Sequence, residues 1–455
     1  MNKILVYLFI AAFSVSLFYA FYSQILPAVD AKAYDAIAWN LAEGFGYREN
    51  RNLSYEGDYA LGRAGPGYEF FLAGVYTIFG HRYWPVWILQ SLFHIISGIF
   101  IFLIYRLLLA KSSYDINFAT AKVISWEWEE KIDWPVVVGL SLFLFHPDLI
   151  QINGMLMTES LFIFLISASV FLGLRILMSP SPGFAQSIIL ALLVAFAVLV
   201  RPGALLLFLV FSGIFLYKKH WKTFLIMFGI LLLIVGPWAA RNYFRHGVLF
   251  TNATGGLELW VSILPESSGE FQMNKEVSDY LEKNGLFKIA ERGKEEFKKF
   301  IFEHPLRFIL RQLEKTSIYF SMIRTSGFWL YLSGWKQLAA IFFSAVFNAL
   351  LFALGLAGAY LIFKERKFLN NAFLLLAAAM PLSVIPIVVT GRYRYPLLIF
   401  LAASALYFLR FIRENKRLPK IFWVASSALL VNGGLDIFFN FDKFISHIRI
   451  LGLDI

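Results

Sequence analysis

The chain has 455 residues; 59% are hydrophobic, 18% aromatic, only 16% charged, and none is cysteine. Mean hydropathy is +0.66 and the formal net charge is +11. These values exclude a water-soluble globular class, because no aqueous core absorbs so many apolar runs, each able to cross ~30 Å of hydrocarbon with ~20 helical residues. They also exclude disulfide frameworks, thiolate metal sites and cysteine nucleophiles. The surplus cations sit beside apolar runs, where they orient helices and meet lipid headgroups rather than nucleic acid.

The first apolar stretch, residues 4–27, follows Lys3 and shows no small-residue cleavage pattern before Asp30, so it reads as a retained span. Further spans are predicted at 84–109, 135–150, 158–178, 184–200, 203–217, 222–240, 338–363, 371–390, 395–412 and 420–440, about eleven in all. With the N-terminus inside, the inner loops hold Arg106, Lys111, Lys122 and Lys131, then Lys218, Lys219 and Lys222, then Lys364, Arg366 and Lys367, then Arg413, Lys416, Arg417 and Lys420. That is a positive-inside pattern. The class is therefore an all-α polytopic membrane protein, with amphipathic outer helices and a small outer subdomain.

Two outer segments are too polar for lipid and too long for plain connectors. Residues 28–83 open with DAKAYDAIAWNLAEGFGY, in which Tyr34, Ile37, Ala38 and Leu41 recur at helical spacing until Gly44 and Gly46 end the pattern. Residues 241–337 carry a charged helical stretch from Glu276 to Phe302 with a break at Asn284 and Gly285. The expected division is an N-terminal transmembrane catalytic module (1–240, including the loop 28–83), an outer loop subdomain (241–337) and C-terminal transmembrane helices (338–455).

Single charges at the outer span edges carry the chemistry. Asp30 follows the first span, where it can cap a helix or serve as an acid or base, and Asp35 competes for the same role. Glu159 heads an apolar span, where a carboxylate is costly unless partnered, although it also favours a helix N-terminus. Arg201, Arg241, Arg392 and Arg394 lie at outer boundaries, where each can snorkel. Retained together on the side that disfavours cations, they call for an anion. A phosphate on a long isoprenoid fits, since arginine forks hold phosphate bidentately at any relevant pH. If that phosphate leaves a sugar's anomeric carbon, the arginines stabilise its charge while a carboxylate takes the proton of an attacking hydroxyl or amine, a single displacement with inversion.

Several segments then resemble one family in the same order along the chain. DAKAYDAIAWNLAEGFGY, GRAGPGYEFFLAGVYTIFG and WPVWILQSLFHIISG are followed by FHPDLIQINGMLMTESLF, LVRPGALLL, GPWAARNYFRHGVLFTNATGGLELW and GRYRYPLLIF. Together they are similar to the polytopic glycosyltransferases of the C superfamily, within it to the protein O-mannosyltransferase and aminoarabinose-transferase-like group, over about residues 1–410. The resemblance implies a C-type glycosyltransferase fold in the inner or plasma membrane. It implies a polyprenyl-phosphate sugar as donor of a hexosyl or pentosyl group, a lipid, glycan or protein acceptor, and a site on the extracytoplasmic face.

By the same resemblance, Asp30 becomes the general base and Tyr34 the aromatic four positions on. Ala31 stands where many members have Glu, so a second acid comes from Asp35 or is absent. Arg63 falls at the basic residue before Pro-Gly-Tyr, with Ala64 and Gly65 between. Glu159 falls in the Thr-Glu pair, Arg201 in Arg-Pro, Arg241 in Arg-Asn-Tyr, and Arg392, Tyr393 and Arg394 in Arg-Tyr-Arg. The expected site is thus Asp30, Asp35 and Glu159 for catalysis, Arg63, Arg201, Arg241, Arg392 and Arg394 for the phosphate, and Tyr34 and Tyr393 for substrate.

No metal or cofactor is expected, since the seven His show no ligand spacing and no phosphate-cradling glycine loop occurs. Arg311 and Lys315 could reach the phosphate or sit at the interface. Asn252 to Thr254 is a sequon read as a turn. The rival reading, a transporter or flippase of a lipid-linked anionic glycan, requires polar groups through the spans on both sides of the midplane.

Overall fold

The computed structural model describes residues 3–53, 58, 60, 65–110, 133–246, 255–264, 271–322, 332 and 334–441. Arg63, the loop 111–132, the sequon at 252–254 and His447 lie outside the described residues. The described chain is all helical. Seven helices are long and apolar enough to cross a membrane, eight if one bent pair counts as a span, and three shorter apolar helices accompany them. The chain is a multi-pass membrane protein.

In chain order the helices begin with α1 (Lys3–Ser23), α2 (Asp30–Ala42), α3 (Pro66–Phe79), α4 (Trp84–Leu109), α5 (Trp134–Leu144), α6 (Pro147–Asn153) and α7 (Thr158–Met178). Next come α8 (Phe184–Val200), α9 (Ala204–Tyr217), α10 (Trp221–His246), α11 (Gly255–Val261), α12 (Lys275–Glu303) and α13 (Pro305–Phe320). The series ends with α14 (Gly334–Lys364), α15 (Phe368–Leu382), a 3₁₀ turn (Gly391–Arg394), α16 (Tyr395–Asn415) and α17 (Lys420–Phe439). α7 and α16 are largely buried and form the centre of the bundle, with α4, α5 and α14 packed against them, whereas α10 and α17 expose most of their length.

Three expected spans differ from their sequence outlines. The stretch 135–150 is not one rod but α5 and α6, bent by 51°. The cause is Pro147, which drives the preceding His146 out of the helical region to φ −63, ψ 120. The first helix stops at Ser23, before Gln24 turns to φ 41. α15 stops at Leu382, just after its internal Pro381, so residues 383–387 turn and residues 388–390 lead into the 3₁₀ turn. In α12 the break falls on Gly285, at φ 78, a region that glycine enters without steric cost.

α16 has ends that differ in chemistry. Its N-terminus follows Arg392 and Arg394, while near its C-terminus Arg413 pairs with Asp133 at 2.7 Å. At 1.5 Å per residue its 21 residues separate these ends by about 30 Å.

Candidate functional site

Four segments bring their ends together at the first of these ends: the start of α2, the start of α7, the residue after α8, and the 3₁₀ turn before α16. Asp30 is the first residue of α2, behind Val29 at φ 49. Arg392 Nη2 donates to Asp30 Oδ2 at 2.6 Å. Arg392 Nε stands 4.0 Å from Glu159 Oε1, and Arg201 Nη2 pairs with the same oxygen at 2.6 Å. Arg201 Nε donates to Thr158 Oγ1 at 2.9 Å, and that hydroxyl donates to Glu159 Oε2 at 3.3 Å. The result is a continuous chain of alternating charge, Asp30, Arg392, Glu159, Arg201.

Exposure is graded along this chain. The side chain of Glu159 is 0% exposed, Arg201 17%, Arg392 23% and Asp30 26%. A carboxylate with no solvent contact needs a cation, and two guanidiniums supply one each. Tyr393 stands between them, its ring centre 5.6 Å from the Arg201 guanidinium carbon and 5.7 Å from that of Arg392.

Backbone packing fixes these positions. Gly65 and Gly67, in the segment RAGPGY, lie against the last turn of α8. A Cβ on Gly65 would stand 2.2 Å from the Leu199 carbonyl oxygen, and one on Gly67 2.6 Å from the Val200 nitrogen, directly before Arg201. Behind Glu159, Gln90 Nε2 donates to the carbonyls of Asn153 (3.0 Å) and Met155 (2.7 Å), and Ser160 Oγ donates to Asn153 Oδ1 at 2.8 Å. These bonds satisfy the turn that leads into α7. Gln90 Oε1 in turn accepts from Tyr68 at 2.8 Å, and Tyr68 packs edge-on to Tyr34 at 5.6 Å. Burial and then Asp30 push the Tyr34 hydroxyl up, so it remains a protonated donor beside the site.

The other sequence candidates have other partners. Asp35 accepts from Tyr76 (2.6 Å), His81 (2.8 Å) and Tyr83 (2.9 Å), and His81 stacks on Trp39 at 4.7 Å. Burial first and Asp35 second raise both tyrosines, which keeps them as donors. Five helical residues turn Asp35 about 140° away from Asp30. Arg394 is fully buried and donates to the Ser321 carbonyl, while the adjacent Tyr395 donates to Asp148 at 3.0 Å. Arg241 stacks over Trp238 (4.7 Å) and Tyr47 (5.8 Å) and donates to Asn242 Oδ1 at 2.8 Å. Lys315 is buried with its Nζ donating to the Ile387 carbonyl at 2.7 Å, and Arg311 joins Glu314 and the Leu264 carbonyl.

Sequence reasoning passed over Glu69, a fully buried acid in the first turn of α3 that accepts from Tyr47 at 3.3 Å. It carries the same signal that singled out Glu159, an acid heading an apolar helix. Thr158, which the sequence marks only as the partner of Glu159 in the Thr-Glu pair, has a hydroxyl that bridges Arg201 and Glu159. Among the described residues no group of three His, Cys, Asp or Glu is arranged to hold a metal ion.

No family model and no curated protein matches the chain. Solved structures similar to it include the aminoarabinose transferase ArnT from Cupriavidus metallidurans bound to undecaprenyl phosphate, at 12% identity and TM-score 0.39 over 89% of this chain and 78% of that one. The apo state of the same protein gives 13% and 0.37 over the same shares. The Archaeoglobus fulgidus oligosaccharyltransferase tethered with an acceptor peptide containing the NVT sequon gives 14% and 0.49 over 94% of this chain and 54% of that one. The present chain thus spans about half the length of the oligosaccharyltransferase.

Proposed function

We propose that the chain is a membrane glycosyltransferase that moves a sugar from a polyprenyl-phosphate donor to a hydroxyl or amine acceptor, with inversion, on the extracytoplasmic face of the cell membrane. The observation that carries this reading is the alternating chain Asp30, Arg392, Glu159, Arg201, drawn from four distant segments and graded from partly exposed to buried. Glu159 anchors both guanidiniums from below. The leaving phosphate would lie against their outer faces and beside Tyr393.

Arg392 is the shared element. A donor phosphate competes with Asp30 for its guanidinium, so donor binding would release the Asp30 carboxylate as the acceptor arrives. The acceptor oxygen or nitrogen forms its bond to the anomeric carbon from one face. The bond from that carbon to the phosphate oxygen breaks on the other, its electron pair leaving with the phosphate, and Asp30 takes the acceptor's proton. Arg201 and Arg392 stabilise the charge gained by the phosphate. The donor class and the hexosyl or pentosyl choice come from the motif resemblance, not from the geometry of these four residues.

The test is purified full-length protein in lipid vesicles with a panel of undecaprenyl-phosphate sugars and candidate acceptors, read by release of undecaprenyl phosphate. Acceptor-dependent release from at least one donor supports the reading. Passage of a donor across the vesicle membrane without cleavage of its sugar would support a lipid-linked glycan transporter instead.

A further inference from the structure

α13 presents three faces, one of them buried against the rest of the molecule. Lys315, Ile318 and Tyr319 are buried, with Lys315 on the Ile387 carbonyl. A polar flank carries Arg307, Arg311 and Glu314, the last two paired at 2.9 Å. The remaining face holds Leu306, Ile309, Leu310 and Leu313, which are 69%, 55%, 51% and 61% exposed. Their spacing of three and four residues gathers them within an arc of about 100°, turned roughly 170° from the face that holds Lys315.

An aliphatic stripe of this size needs a cover, and the neighbouring surface identifies it. Ser317 Oγ donates to Asn432 Oδ1 at 2.6 Å, and Asn432 Nδ2 donates to the Ser317 carbonyl at 3.0 Å, joining α13 to α17. α17 is apolar and long enough to cross a membrane, and it exposes Leu430, Val431, Leu435, Phe438 and Phe439. The stripe therefore continues a surface that meets lipid. α13 itself, with 16 residues and Arg307, Arg311, Glu314 and Lys315 among them, is too short and too charged to span.

We propose that α13 is an interfacial helix, lying flat at the lipid-water boundary with Leu306, Ile309, Leu310 and Leu313 embedded in the acyl chains of the leaflet around the site end of the bundle. Its partner is the bilayer. Arg307, on the polar flank, reaches the headgroup phosphates. Because Lys315 on the opposite face grips Ile387, the membrane surface also sets the height of the segment that delivers Arg392. The membrane seat itself does not depend on the proposed transferase activity.

The cysteine-free sequence makes the test direct. Leu310→Cys, Leu313→Cys and Glu314→Cys in the full chain are spin-labelled and reconstituted in phosphatidylethanolamine and phosphatidylglycerol vesicles. Collisions are then compared between oxygen, which concentrates in acyl chains, and a water-soluble nickel chelate. The labels at 310 and 313 should favour oxygen several-fold and the label at 314 should favour nickel, with Leu306→Cys as a replacement should either leucine variant fail to fold. Nickel access at all three positions overturns the proposal. So does shielding from both reagents at 310 and 313, the signature of a second copy or another protein on the stripe.

Discussion

Replacing Arg201 by Met removes the nearer of the two guanidiniums that neutralise Glu159, a side chain with no solvent exposure. Coulomb attraction falls with the inverse of distance. Arg392, 4.0 Å from Oε1 against 2.6 Å for Arg201, therefore supplies roughly two-thirds as much attraction as the cation removed. Breaking a buried pair with no second cation costs ~3–5 kcal/mol. With Arg392 retained, we expect about 2 kcal/mol, plus about 1 kcal/mol for the lost bond to Thr158. Glu159→Gln in the Arg201→Met background should recover most of the electrostatic part, because no uncompensated charge then remains. A double-mutant cycle by reversible denaturant titration of the full chain in micelles reads this coupling directly. A single variant within about 0.5 kcal/mol of wild type, or additive costs in the cycle, would refute the pairing.

Three further outcomes are expected. Asp35→Asn, which weakens bonds from Tyr76, His81 and Tyr83, should destabilise the fold by about 2 kcal/mol and leave turnover within about tenfold of wild type. Loss of turnover without loss of stability would transfer the base role to Asp35. Burial, and Arg311 beside it, push Lys315 down to about 8 from its usual 10.5, so between these values the unfolded chain holds the proton more often than the folded one. Stability from this group therefore rises with pH across that window. Melting curves of wild type and Lys315→Met should diverge there in favour of wild type, and parallel curves would contradict the assignment. Finally, cysteines placed at Asn52 and Lys122 should differ towards an impermeant thiol reagent in intact cells, only the first reacting; equal labelling would sink the topology.

The sequence made α2 legible because a polar-apolar alternation at helical spacing ends on glycines, and α4, α7 and α8 legible because their apolar runs have abrupt ends. Edge charges pointed to Asp30, Glu159, Arg201 and Arg392, but the partner of each comes from a remote segment that only tertiary packing supplies. Arg392 and Arg394 could not be separated by pattern. In a 3₁₀ turn, residues two apart point about 120° from one another, so one meets Asp30 while the other enters the protein. Asp30 and Asp35 looked equivalent in an unplaced helix, and the aromatic donors around Asp35 that distinguish them come from α3 and the residues just after it. The bend at Pro147 was available from the His-Pro step, but the hydropathy of the stretch concealed it.

The central claim is that Asp30 accepts the acceptor's proton at a site where Arg392 and Arg201 hold the donor phosphate. Its most direct test compares wild type with Asp30→Asn in parallel assays of donor binding and acceptor-dependent undecaprenyl phosphate release, using whichever donor of the panel wild type consumes. The account predicts a loss of ~10²–10⁴ in turnover with donor binding retained. Turnover near wild type in Asp30→Asn would contradict it.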